Sequence, residues 1–226
     1  MSATSLPETT AAARKARPRP ALFGITLADW LRIAVHIGAL IPLALLLWDG
    51  AHNHLTANPI QEITFRTGKT AIILLILSLL CTPLNILFGW KAVLPLRRPL
   101  GLYAFFYVCL HLLIFSVLDY GLDWGLIQQT IAEKRYVLVG FAAFLLLLPL
   151  ALTSTKGWMR RLGKRWKQLH RLVYLAAFLA VVHFVWLVKS DIREPLLYGA
   201  ALAVLLLLRL APLRRAIVRV RSRPAR

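Results

Sequence analysis

Residues 166–184 read WKQLHRLVYLAAFLAVVHF. After His170 and Arg171 the chain is apolar as far as Val188, with a second histidine, His183, well inside the run. Leu169–Val188 is as long as the roughly 20 residues that a bilayer core requires. Lipid offers no partner to backbone amides and carbonyls, so such a span has to be helical. Working outward, five more runs of this kind appear: Trp30–Trp48, Thr70–Phe88, Leu100–Leu118, Tyr136–Leu152 and Leu196–Ala211. The composition agrees. Of 226 residues, 59% are hydrophobic and 16% charged, against about 45–50% and about 25% in soluble domains. The expected fold class is therefore all-α, an integral membrane six-helix bundle, with tails at 1–28 and 212–226 flanking a membrane domain at 29–211.

The 28 basic residues outnumber 9 acidic ones, and their placement gives an orientation. With the N-terminus in the cytoplasm, the inner segments hold 19 Lys and Arg and the outer segments 6, a strong positive-inside bias. Both termini are then cytoplasmic. The tail before Trp30 has no apolar core or cleavage-like site, so the first span is expected to target the chain itself. Most tryptophans, among them Trp30, Trp48, Trp90, Trp158 and Trp186, fall near span ends, as an interfacial belt does.

Several features that resemble motifs are better read plainly. Gly68-Lys69-Thr70 ends like a phosphate-binding loop, but Ile63 stands where the first glycine would be. The arginine-rich C-terminal tail suits anionic lipid better than nucleic acid. Cys81 and Cys109 both lie in apolar runs, which excludes a disulfide scaffold and cysteine-ligated clusters. Arg32 and Arg209 stand at span ends, from which they can snorkel to the inner surface. His52 and His54 read as solvated loop residues.

His111 and His183 differ, because an ionisable group at bilayer depth is costly and marks function by default. At about 1.5 Å per residue they lie about 16 Å and about 21 Å from the inner ends of the third and fifth spans. Two neutral imidazoles at matching height on facing helices can take both axial positions of a haem iron. Such an iron has no open site and suits electron transfer. His170 lies about 20 Å lower, where a second centre would stand. His170 and His183 are, however, about 220° apart around an ideal helix, so their spacing supports two stacked haems only weakly. His36, about 9 Å into the first span, is read either as a partner of His170 or as a packing residue.

The stretches FRTGKTAIILLILSLLCTPL, RRPLGLYAFFYVCLHLLIF, KRYVLVGFAAFLLLLPLALTS and WKQLHRLVYLAAFLAVVHF together resemble the MsrQ (YedZ) family, the haem-binding membrane subunits of bacterial periplasmic methionine sulfoxide reductase systems. That family is similar to the transmembrane domain of ferric reductases and NADPH oxidases, which bind two haems through paired histidines. The resemblance implies His111, His170 and His183 as haem ligands. The oxidase pattern has a further histidine about four helical turns before the position of His111; Arg97 stands there, matching an arginine of the MsrQ pattern. The inner haem thus lacks its usual partner, and one or two haems b are implied. Arg97 is then an inner-surface charge or a contact for a haem propionate or flavin phosphate. Also implied are an FMN, electrons from the quinone pool or a cytoplasmic flavin reductase, a periplasmic molybdenum-containing catalytic subunit as acceptor, and residence in the bacterial inner membrane.

The expected function is a redox subunit rather than the catalytic one, passing electrons outward for repair of oxidised periplasmic proteins. The long outer loops, Gly50–Lys69 and Asp119–Arg135, are the surfaces offered to an acceptor. One rival is a stand-alone ferric or metal reductase or oxidase-like cytochrome b, which usually carries a fused nicotinamide and flavin domain; the short segment Pro212–Arg226 cannot form one. Another is a transporter or membrane anchor with structural histidines.

Overall fold

A computed structural model describes residues 26–188 and 191–222. The basic residues expected in the N-terminal tail (Arg14, Lys15, Arg17 and Arg19), together with Lys189 and 223–226, lie outside the described residues. The described chain is helical, with no strand among its residues. In order come α1 (Leu27–Ala51), α2 (Pro59–Phe88), a short 3₁₀ segment (Lys91–Leu96), and α3 (Arg97–Ile114), which widens into a π turn over Phe115–Asp119. Then follow α4 (Trp124–Glu133), α5 (Arg135–Leu152), α6 (Lys156–Leu162), α7 (Lys164–Leu169), α8 (Leu172–Leu187), α9 (Arg193–Leu207) and α10 (Ala211–Ser222). Five helical stretches are each long and apolar enough to cross a membrane. A sixth qualifies only as the pair α9 and α10, bent by 70°.

Local chemistry sets these boundaries. Asn58 accepts from the Gln61 amide at 3.2 Å and Pro59 opens α2, a favourable start because neither position sacrifices a helical bond. This moves the beginning of α2 well ahead of Thr70. Much of the expected outer loop Gly50–Lys69 is therefore helix, and only the stretch around 52–58 connects α1 to α2. Likewise Asp123 caps Leu126 at 3.0 Å, and most of the expected loop Asp119–Arg135 is the helix α4. At the other end of α2, Gly89 takes φ 73° and closes the helix.

Two helix pairs dominate the packing, α2 with α3 and α5 with α8. We call the end of the bundle where α1 joins α2 the upper end, and the end where α2 turns into α3 the lower end. The core between the pairs includes Ala71, Leu75, Leu79, Ala104, Tyr107, Leu147, Leu150, Ala176 and Ala177. Tyr107 is 1% exposed. Its hydroxyl donates to the Ala39 carbonyl at 2.7 Å and accepts from the Leu43 amide at 3.1 Å. It thereby enters the hydrogen-bond ladder of α1 beside Pro42, one of the recognised causes of a helix bend.

A second proline explains an arginine. Pro83 lies inside α2 and has no amide to give the Leu79 carbonyl one turn earlier. Arg209, at the bend between α9 and α10, donates to that carbonyl through Nη2 and to Tyr174 Oη through Nη1 at 2.8 Å. Arg209 thus folds back onto α2 instead of snorkelling to a surface. Ion pairs bind the upper end: Arg66 joins Asp49 at 2.5 Å and Glu62 at 2.8 Å, and Lys69 joins Glu194 at 2.5 Å. The segment expected as a C-terminal tail is helical as far as Ser222.

Candidate functional site

A cavity of about 860 Å³ opens between the two helix pairs towards the upper end. Its wall is mostly apolar, with Phe65, Val108, Phe144 and Leu147 among the lining residues. His111 from α3 and His183 from α8 enter it from the two pairs. Their ring centres are 6.2 Å apart with planes at 87°.

Each ring is held by its Nδ1. His111 Nδ1–H donates to the Thr64 carbonyl of α2 at 2.9 Å, and His183 Nδ1–H donates to the Tyr136 carbonyl of α5 at 2.7 Å. A carbonyl can only accept, so the proton is on Nδ1 in both rings. Nε2 then carries the lone pair, and it has no protein partner among the described residues. This is the tautomer a metal-ligating imidazole needs, fixed by the bond its other nitrogen makes. One metal held by both Nε2 atoms, with bonds of about 2.0–2.1 Å, would need ring centres about 6 Å apart, and the two centres are 6.2 Å apart.

No cluster of three or more His, Cys, Asp or Glu capable of holding a metal ion occurs among the described residues. Among the described residues the cavity therefore offers two imidazole nitrogens and no third protein ligand beside them, a set that suits a metal already held in a macrocycle better than a bare ion. The rim is polar, with Asn58, Gln61, Lys69, Asp119, Gln128 and Lys134. Lys134 Nζ donates to Tyr120 Oη at 3.2 Å, and this bond raises the lysine above its ordinary pKa. Trp124, Ile127 and Ile131 of α4 close over part of the opening.

The other expected residues lie apart. His170 is in the break between α7 and α8, not inside a helix. It donates to the Trp166 carbonyl at 3.1 Å, stacks on the Trp166 ring at 3.8 Å, and has Ser154 Oγ 3.4 Å from Nε2. Arg97, which opens α3, donates to the Leu94 carbonyl and to Thr82 Oγ1, each at 3.2 Å. His36 does not meet His170; its Nδ1 is hydrogen-bonded to Tyr103 Oη at 2.9 Å.

The sequence alone assigned no role to Gly140 or to the carbonyls of Thr64 and Tyr136, and presented Gly68 only within the rejected phosphate loop. A signal was present: each histidine follows its carbonyl partner by 47 residues, and a glycine stands one helical turn after each carbonyl.

The family described as ferric reductase like transmembrane component matches residues 67–181, which include Gly68, Arg97, His111, Gly140 and His170. Among similar proteins is the protein-methionine-sulfoxide reductase heme-binding subunit MsrQ of Xanthomonas euvesicatoria pv. vesicatoria. It is 52% identical over 178 residues, covering 76% of this chain and 82% of the relative. The protein of the same description from Rhodospirillum rubrum is 50% identical over 185 residues, covering 80% and 88%. No solved structure matches the chain.

Proposed function

This chain belongs to the MsrQ family, within the ferric reductase-like transmembrane proteins, and on that premise we propose that it is the haem-carrying electron-transfer subunit of a methionine sulfoxide reductase. It is a multi-pass protein of the bacterial inner membrane. The observation that carries the functional reading is the imidazole pair. His111 and His183 present unprotonated Nε2 atoms into one apolar cavity at the separation a single metal requires. A haem b bound there supplies reversible one-electron chemistry. The residues do the rest: both Nδ1–H bonds fix the rings, and a haem held by both imidazoles would transfer electrons without binding a further ligand. The wall around the two rings is mostly apolar, which suits a flat hydrophobic macrocycle.

The full architecture in this reading has six spans, the last running along α9 to the bend at 208–211, and both termini in the cytoplasm. It comprises a cytoplasmic tail at 1–28, a membrane domain at 29–211 and a basic cytoplasmic segment at 212–226. The basic asymmetry supports this orientation and makes the upper end periplasmic. The acceptor is then a periplasmic molybdenum-containing catalytic subunit that approaches α4 and the α1–α2 connection. The donor, quinol or a flavin reductase, delivers electrons at the lower end. There His170 and Arg97 contact a second haem or the phosphate of an FMN, for which a guanidinium is well suited.

Two measurements test this reading. Reporter fusions at Asn58 and Gln128 should read periplasmic and one at Gly163 cytoplasmic; the reverse would overturn the orientation. In anaerobic stopped-flow, the reduced protein should be reoxidised rapidly by the catalytic subunit with a methionine sulfoxide, and slowly by ferric chelates. Rapid reoxidation by chelates with no response to the catalytic subunit would favour a stand-alone metal reductase.

A further inference from the structure

His111 and His183 each lie against a glycine of the neighbouring helix. A Cβ on Gly140 would stand 2.7 Å from His183 Nδ1 and 2.9 Å from its Cε1; one on Gly68 would stand 3.1 Å from both His111 Nδ1 and Cε1. At Gly140 any other residue would force the ring to shift, whereas at Gly68 the tighter-than-usual contact would require the ring to give slightly. The carbonyl that receives each Nδ1–H, from Thr64 or Tyr136, belongs to the residue one helical turn before the glycine. A ring resting directly on the backbone over a glycine can reach that carbonyl; a ring held off by a methyl group cannot reach it as closely. The arrangement occurs twice along the chain with the same internal spacing, Thr64, Gly68 and His111 matching Tyr136, Gly140 and His183. The hydrogen bond is shorter on the α5 side, at 2.7 Å against 2.9 Å.

We propose that Gly68 and Gly140 are positioning residues for the haem ligands: by letting each imidazole settle on the helix backbone, they secure the Nδ1–H bond that sets ligand strength. The inference rests on the ligand assignment made above. A carbonyl accepting from Nδ1–H makes the imidazole a more basic ligand, and losing such a partner costs about 10–100-fold in metal affinity. A more basic pair favours the ferric over the ferrous state, so a weakened bond raises the midpoint potential. Gly140→Ala should have the larger effect and Gly68→Ala the smaller, following the two clash distances.

Gly199→Ala is the matched control. Its Cβ would meet Val181 Cγ1 of α8 at 3.3 Å, so it crowds the same helix close to His183 without touching a histidine. The full-length protein in detergent would be read for haem affinity, low-temperature spin resonance of the ferric state, and midpoint potential. The expected result is a fall of about 10–100-fold in haem affinity for Gly140→Ala, with an altered ferric spectrum and a raised potential in both histidine-seat variants. Gly199→Ala should match the parent. Spectra and potentials of Gly68→Ala and Gly140→Ala indistinguishable from Gly199→Ala would overturn the positioning role. Should Gly140→Ala fail to insert, the milder Gly68→Ala decides alone. Haem retained in both His111→Ala and His183→Ala would instead overturn the ligand assignment, and the glycine role with it.

Discussion

At the upper end, α3 sets His111 against Gly68 and the Thr64 carbonyl of α2, and α8 sets His183 against Gly140 and the Tyr136 carbonyl of α5. At the lower end the pairs part company. The α5–α8 pair has His170, stacked on Trp166 and close to Ser154. The α2–α3 pair has Arg97, bonded to Thr82. Thr82 and Ser154 are separated along the chain by the same interval as Gly68 and Gly140, so the small hydroxyl is kept; the same interval sets Arg98 against His170, and Arg97 stands one residue earlier. The upper end offers two like imidazoles. The lower end offers one imidazole and one fixed positive charge, a combination suited to an anionic group or to a centre held from one side.

The contrast can be broken most directly at the top. Alanine at His111 or His183 should remove most of the haem absorbance while the protein still inserts, whereas His170→Ala should leave the upper signature in place. Optical spectra of the three purified variants decide it, and equal losses in all three would erase the difference between the ends. Next in size, Arg97→His would give the lower end a second imidazole. The haem-to-protein ratio under haem-replete expression should rise, and an unchanged ratio would show that the guanidinium is not what separates the two ends.

A stability effect comes third. Arg209→Met removes the donor that satisfies the Leu79 carbonyl freed by Pro83, an interaction peculiar to the α2 side. A buried unsatisfied group costs about 1–3 kcal/mol, and Pro83→Ala, which restores an amide there, should recover part of it. Thermal melts of both single variants and the double variant would measure the coupling. Smallest is Tyr107→Phe, which leaves the Ala39 carbonyl and Leu43 amide without the bridging hydroxyl. About 1 kcal/mol is expected, with haem spectra unchanged; a spectral shift would tie α1 to the ligand geometry.

The helical class, the membrane runs and the two deep histidines were legible because they rest on length, hydropathy and the cost of burying an imidazole. The starts of α2 and α4 were not, because capping by Asn58 and Asp123 extends helices into polar sequence that a hydropathy reading assigns to loops. Gly68 was read only as part of a failed phosphate loop, and its contact with the His111 ring depends on how α2 and α3 pack. Arg209 looked like a surface cation because its partner, a carbonyl exposed by a proline, cannot be seen from a side-chain sequence. The stacking of His170 on Trp166 is equally a matter of chain path.

The identical 47-residue spacing in the two helix pairs has one more consequence. The cross-contacts obey the same exchange, since α3 packs on α5 as α8 packs on α2. The four helices are thus related by a pseudo-twofold axis running along the bundle between His111 and His183. Whatever lies on that axis is presented with the same chemistry from both sides. The likeness is closest at the two imidazoles, where the α5–α8 side is the tighter, and it ends at His170, which has no histidine twin on the α2–α3 side.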